Sequence, residues 1–315
     1  MARDAGAFRV TVFGAAHLDR LLRTDGPPVL GASNPGSARD AIGGVAFNIA
    51  AALARLGLPT TLVTRLGNDD AGDRVAAAAD TAGIDPVWMS RSPDAPTATY
   101  HAVLHAAGGL VIGVADARIY DELTPDALEP ALTAPAHLWI ADANLPADTL
   151  AHIAAASRAA GTPLAACAVS PAKAVRFASL LRDIAIWFGN RAEAGAILGR
   201  PAGAPTPDLA AALAAAGVRS GFVSNGDAAF AAWHDGKVEI MTLLPAARIA
   251  SVNGAGDAQA AGTVYGLAEG LGFLDAVRYG RAAAALKVEA EEPVREDLTR
   301  ALLESRAAAT AEKPA

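Results

Sequence analysis

The sequence holds a single cysteine, Cys167, in 315 residues. One thiol excludes an intrachain disulfide framework and any zinc site built on several cysteines, so a reducing, cytoplasmic setting is expected. Cys167 itself reads as a buried core thiol. A basic cluster is also missing. The formal charge of -7 is spread along the chain, which gives nucleic acid and acidic membranes no electrostatic footprint and favours small-molecule partners. Residues 1–16 lack the apolar core of a signal peptide. The longest stretch without Asp, Glu, Lys or Arg, residues 95–115, carries His101, His105, several threonines and a Gly108-Gly109 pair, so two strands and a turn account for it better than a membrane helix. Neither an internal repeat nor a low-complexity linker interrupts the chain.

What is present fits a compact globule, with just over half of the residues apolar and about a fifth charged. Residues 8–13 read as a buried strand ending at Gly14, and Gly43-Gly44 opens a helix over 46–56 that stops at Gly57 and Pro59. A strand at 60–66, a helix at 71–82, a strand at 138–141, a helix at 147–159 and strands at 164–169 and 184–188 follow. The alternation continues through 192–198, 208–216, 221–224, 228–233 and 238–243, with a hairpin at His234-Asp235-Gly236. Helices at 258–269, 273–288 and 296–308 close the chain, and a tail over 310–315 frays. Such alternation predicts an α/β architecture with a mostly parallel central sheet covered by helices on both faces. Residues 97–105 alternate in polarity ahead of the Gly-Gly turn, as a half-exposed antiparallel strand would. One domain over 1–309 is expected, with lid segments at about 20–40 and 97–114.

The strongest chemical signal is Ala250-Ser-Val-Asn-Gly-Ala-Gly-Asp-Ala-Gln-Ala-Ala-Gly262, a glycine-rich loop feeding an Ala-rich helix. Gly254, Ala255 and Gly256 leave the backbone accessible, so their N–H groups, aided by the helix dipole, suit an anion such as a transferring phosphoryl group. Asp257, at the mouth of that helix, is the candidate base, held in its charged form by the positive end of the dipole. The alternative for Asp257 is a plain N-cap. About two hundred residues upstream, Gly43-Gly44-Val-Ala-Phe-Asn48 sets a Gly pair before a helix and an amide one turn in, where backbone and side chain can bond substrate hydroxyls.

These two segments, in this order, resemble the signature regions of the ribokinase-like (PfkB) family of carbohydrate and nucleoside kinases, over residues 8 to 300. The resemblance implies a three-layer sandwich with a small β-sheet lid. It also implies phosphoryl transfer from ATP, with Asp19, Gly43, Gly44 and Asn48 on the sugar, Gly254, Ala255 and Gly256 as the anion hole, and Asp257 as the base. Asn190-Arg-Ala-Glu193 matches a family motif that acts through magnesium near the phosphates, which implies Mg2+ with Glu193 on its side. The same four residues also read as a helix-capping box, and both readings can hold together. Ser224 and Gly226 fall where the family contacts the nucleotide. The resemblance leaves open a monovalent cation such as K+, and the sheet edges of the lid, which a second copy would cover, leave open a homodimer.

Within the family, Ser33-Asn-Pro-Gly36, Ala141-Asp-Ala-Asn144 and Ala258 look most like the pseudouridine kinases. The implied acceptor is the ribose 5′-hydroxyl of a nucleoside, with pseudouridine first and another nucleoside or a sugar as the alternative. Asp116 and Asn144 are then candidates for holding the nucleoside, and each equally reads as a surface or turn residue. Some positions depart from the family. Ser251-Val252 replaces an Asp-Thr pair, and Cys167 stands at a frequent Asp, which removes a carboxylate from the expected magnesium surroundings. Ala229 stands for a Gly of the nucleotide loop, and Phe47 is expected to face or flank the sugar. A non-catalytic nucleoside or sugar sensor would keep the fold and lose the chemistry, against which the intact loop and Asp257 argue. A dinucleotide-binding dehydrogenase would need Gly-x-Gly-x-x-Gly after the first strand, and Phe13-Gly-Ala-Ala-His-Leu-Asp19 does not supply it. His101 and His105, roughly 13 Å apart on a strand, are too distant to share one metal ion.

Overall fold

A computed structural model describes residues 8–106 and 109–309; the predicted fraying tail and part of the Gly108-Gly109 turn lie outside them. The chain runs through β1 (Val10–Phe13), β2 (His17–Thr24), β3 (Gly36–Gly43), α1 (Val45–Arg55), β4 (Thr60–Gly67), α2 (Asp70–Ala82), β5 (Met89–Ser92), β6 (Thr99–Leu104) and β7 (Leu110–Asp116). It continues with α3 (Pro125–Leu132), β8 (Leu138–Asp142), α4 (Ala147–Ala160), β9 (Leu164–Cys167), the short α5 (Pro171–Ala174), β10 (Ile186–Asn190), α6 (Arg191–Leu198), α7 (Thr206–Ala215) and β11 (Ser220–Ser224). A hairpin of β12 (Phe230–His234) and β13 (Lys237–Met241) precedes α8 (Ala255–Ala268), α9 (Phe273–Val288) and α10 (Arg300–Ala308).

Nine strands form one sheet in the order β13-β12-β11-β10-β9-β8-β1-β4-β5. It is parallel from β11 to β5, and only β12 and β13 run antiparallel. Central parallel strands are buried on both faces and therefore read as continuous apolar runs. Their side chains alternate between two cores. Val10, Val12, Leu138, Ile140, Cys167, Ile186 and Phe188 pack with α1, α2, α8, α9 and α10. Phe13, Trp139, Ala141, Ala166 and Trp187 pack with α3, α4, α6 and α7. Phe47 belongs to the first core at 4% exposure, so the expectation that it faces or flanks a sugar does not hold.

A second, four-stranded sheet has the order β3-β2-β6-β7. Residues 20–40, read from sequence only as a Gly/Pro-rich stretch and lid segment, supply β2 and β3. Their pairing is non-local, because β2 lies parallel to β6, with Leu18 opposite Thr99 and Asp19 opposite Tyr100. The helix expected from 258 begins at Ala255, with Gly254 as its left-handed N-cap (φ 80°), so the glycine loop and Asp257 lie within its first turn. The last helix starts at Arg300 rather than 296 because Thr299 caps it, its Oγ1 accepting from Leu302 N at 3.2 Å. No sequence pattern marks α3, which is short and contains Pro130. No helix among the described residues is long and apolar enough to cross a membrane.

Candidate active site

Ligands of open parallel sheets bind beyond the carboxyl ends of the strands, and the candidate residues of this chain gather there. A cavity of about 120 Å³ is lined by Gly256 and Asp257 from α8, Cys167 at the end of β9, Asn190 at the end of β10, Glu193 from α6, and Ser224 at the end of β11. Gly256 has open space where a Cβ would point. Among the described residues no backbone acceptor engages the N–H of Gly256 or Asp257, whereas the Ala255 N–H is spent on Val252 O at 3.2 Å. Two of the first N–H groups of α8 are therefore presented to the cavity mouth, where helix termini attract anions. Gly254 answers to packing instead: a Cβ there would come within 2.4 Å of Pro293 O.

Asn48 Nδ2 donates to Asp257 Oδ2 at 2.7 Å, which joins the two signature segments. Burial raises the Asp257 pKa to about 7, against the Asn48 bond, and the nearby carboxylates of Asp142 and Glu193 push the same way. The sequence reading expected the helix dipole to hold this carboxyl charged. Desolvation outweighs it, leaving a group poised to take and release a proton near neutrality. Asn48 Oδ1 is buried with no partner among the described residues, an acceptor that a substrate hydroxyl would satisfy.

Asp19 sits on the inner side of the small sheet, 6% exposed, with its Oδ1 2.8 Å from His17 Nδ1. Gly43 faces it so closely that a Cβ would meet Asp19 Oδ2 at 2.4 Å, and Gly44 (φ 104°) would set a Cβ 2.3 Å from Ala15 O. Both glycines are thus required by close approach, and they bring Asp19 next to the N-terminus of α1. Asp116 does not join this group. It pairs with Thr99 and through it with Leu18, whereas Asp19 pairs with Tyr100. Paired residues share a face and neighbours alternate, so Asp116 points from the opposite face, where Arg118 Nη2 binds it at 2.8 Å.

Asn144 stands half-buried two residues beyond β8, its Oδ1 accepting from Lys173 Nζ at 2.5 Å while Arg176 bonds its carbonyl at 3.0 Å. Asn190 and Glu193 form the capping box expected from sequence: Asn190 N donates to Glu193 Oε2 at 2.7 Å and Glu193 N to Asn190 Oδ1 at 3.0 Å. Glu193 is 6% exposed, and burial raises its pKa in spite of those bonds. Gly226 lies in the turn after β11 with φ 65°. Cys167 is buried as expected, its thiol pushed up by desolvation and by the charges of Asp257, Asp142 and Glu193.

Sequence reasoning missed two residues. The fully buried Asp142 carboxylate accepts from Ala15 N and Ala46 N at 3.0 Å each and from Asn144 N at 2.8 Å, tying β1, α1 and β8 together at the site. Its sequence signals are an Asp closing an apolar strand and its place in the Ala141-Asp-Ala-Asn144 segment, in which Asn144 alone reads as a site candidate. Val169 takes φ 66° in a tight turn closed by Ser170 N to Ala168 O at 2.7 Å, a rare, strained conformation for a β-branched residue. Nothing in the sequence announces it.

The sequence profile of the pfkB family of carbohydrate kinases matches residues 7–298. The chain belongs to this family. Among its relatives, the uncharacterized sugar kinase YeiI of Escherichia coli is 30% identical over 81% of this chain and 71% of its own length. The pseudouridine kinase of the same organism is 26% identical over 92% of this chain and 93% of its own. A solved carbohydrate kinase from Agrobacterium tumefaciens superposes with a TM-score of 0.81 at 36% identity, covering 96% of this chain and 97% of that one. Family membership makes the protein an ATP-dependent sugar or nucleoside kinase on a ribokinase-like fold.

Proposed function

We propose that this kinase transfers the γ-phosphoryl group of ATP to the ribose 5′-hydroxyl of a nucleoside, with pseudouridine as the acceptor and pseudouridine 5′-phosphate as the product. The contact of Asn48 with Asp257 carries the reading, because it sets a sugar-binding amide 2.7 Å from the candidate base. Asp19, the Gly43-Gly44 backbone and Asn48 hold ribose hydroxyls. Ionised Asp257 orients the attacking hydroxyl and takes its proton late in a loose transition state. The free N–H groups of Gly256 and Asp257 receive the phosphoryl oxygens, Ser224 and Gly226 lie on the nucleotide side, and the small sheet closes over the ribose against water.

Among the described residues no cluster of three or more His, Cys, Asp or Glu forms a metal cage. Mg2+ commonly relies on one or two carboxylates, phosphates and waters, so the buried Glu193 with Asn190 fits it. The ion would neutralise developing phosphate charge.

The pseudouridine assignment draws on the end-to-end similarity to a pseudouridine kinase and on Asn144 and Ala258. Leu110, Ile112 and Val114, each more than half exposed on β7, favour a homodimer through the small sheet, and the single buried thiol suits a cytoplasmic setting. The test is ATP-Mg2+ phosphorylation of pseudouridine, uridine, adenosine, inosine, ribose and hexoses, read by product mass. Pseudouridine 5′-phosphate as the dominant product supports the proposal, and faster turnover of a free sugar overturns it.

A further inference from the structure

Lys287 is among the most completely buried side chains, at 1% exposure, and its ammonium bonds backbone rather than a carboxylate. From the last turn of α9, Nζ donates to Ser251 O at 2.9 Å and to Ala290 O at 3.1 Å. These carbonyls belong to the two loops that meet at the mouth of α8. The first, 250–254, leads into the anion-hole residues, and the second runs over 289–295. They touch directly where Gly254 packs on the Pro293 carbonyl, and the first is also held to the end of α9, Ala250 N and Ser251 N both donating to Val288 O.

Backbone carbonyls converging on one positive charge are the coordination that a dehydrated monovalent cation takes. Here the charge is covalently attached. The rest of the second loop is fastened in the same way, with Arg248 on Glu289 O at 3.0 Å and Arg55 on Val294 O and Arg295 O at 3.2 and 2.8 Å. Burial lowers the Lys287 pKa to about 8 while Glu291 and Glu292 favour its charge, so the ammonium persists at neutral pH. The cavity beside it, lined by Asn48, Ala258, Leu286 and Pro293, measures about 10 Å³. That is roughly the minimum for one water, and the Lys287 ammonium in its wall repels a second cation there.

We propose that Lys287 is a built-in monovalent cation, a positioning residue whose ammonium holds Ser251 and Ala290 so that the anion-hole turn of α8 is formed without K+. The K+ raised by the family resemblance does not fit beside it. The inference rests on the kinase reading for its catalytic consequence and not for its structural one.

The experiment compares wild type, Lys287→Ala and Lys287→Met in K+, NH4+ or tetramethylammonium salts, reading both turnover and melting temperature. Wild type is expected to show the same values in all three. Lys287→Ala should lose about 10²-fold in kcat and regain most of it, with a higher melting temperature, in NH4+ or K+ but not in tetramethylammonium. Lys287→Met, which fills the space without charge, should fold, stay slow and gain nothing from any ion. A wild type that requires K+, a Lys287→Met variant with wild-type kcat, or a Lys287→Ala variant indifferent to every ion in both readouts overturns the proposal. Should wild type phosphorylate no acceptor, the function reading fails, and the ion dependence of the Lys287→Ala melting temperature still decides this one.

Discussion

Asn48 and Asp257 are separated by 209 residues and lie 2.7 Å apart, donor to acceptor. The first turns of α1 and α8 meet at this bond, which joins the segment proposed to hold the acceptor to the segment proposed to activate it.

Replacing Asp257 with Asn should leave nucleoside and ATP binding within a small factor of wild type while kcat falls about 10²–10⁴-fold, the range for loss of a general base. Calorimetric binding alongside product mass checks both halves. Retention of nearly full turnover would remove Asp257 from the mechanism.

The pH dependence follows from a folded-state pKa near 7 for this carboxyl. For free enzyme, kcat/KM should rise through an acid limb with an apparent pKa near 7, and Asn48→Ala should move that limb upward, because the Asn48 bond favours the charged form. Stability runs in the other direction. The folded pKa is raised above the unfolded value of about 3.9, so the group's contribution is fully present below the unfolded pKa and is lost as pH rises to about 7 and beyond. Denaturant melts from pH 4.5 to 8 should show Asp257→Asn gaining on wild type across that window.

Glu193 combines a capping role with a proposed metal role, and Glu193→Gln separates them. Glutamine can still accept from Asn190 N, so the melting temperature should change little. The Mg2+ concentration for half-maximal turnover should rise several-fold. An unchanged Mg2+ requirement would leave Glu193 as a cap alone.

Gly14→Ala should be severely destabilising. A Cβ there would lie 2.3–2.6 Å from the Asp142 carboxylate atoms at φ 147°, and Asp142 cannot yield without freeing the buried N–H groups of Ala15 and Ala46. A loss of about 3 kcal/mol or more is expected, measurable by urea denaturation.

The alternation of apolar runs with amphipathic helices sufficed to read the mostly parallel sheet, since local periodicity reports directly on burial. The Gly-rich loop and the Asn190–Glu193 cap were legible for the same reason, each being a pattern of adjacent residues, and Asp257 and the Gly43-Gly44 pair stood out within such patterns although their partners Asn48, Asp19 and Ala15 lie elsewhere in the chain. Tertiary structure alone decided the rest. It placed Asp19 and Asp116 on opposite faces of the small sheet, because strand register depends on the non-local pairing of β2 with β6 and β7. It set Asp142 under three N–H donors and turned Lys287 onto Ser251 and Ala290. It also drew the Asp257 pKa upward, because desolvation is fixed by how distant segments exclude water and leaves no trace in sequence spacing.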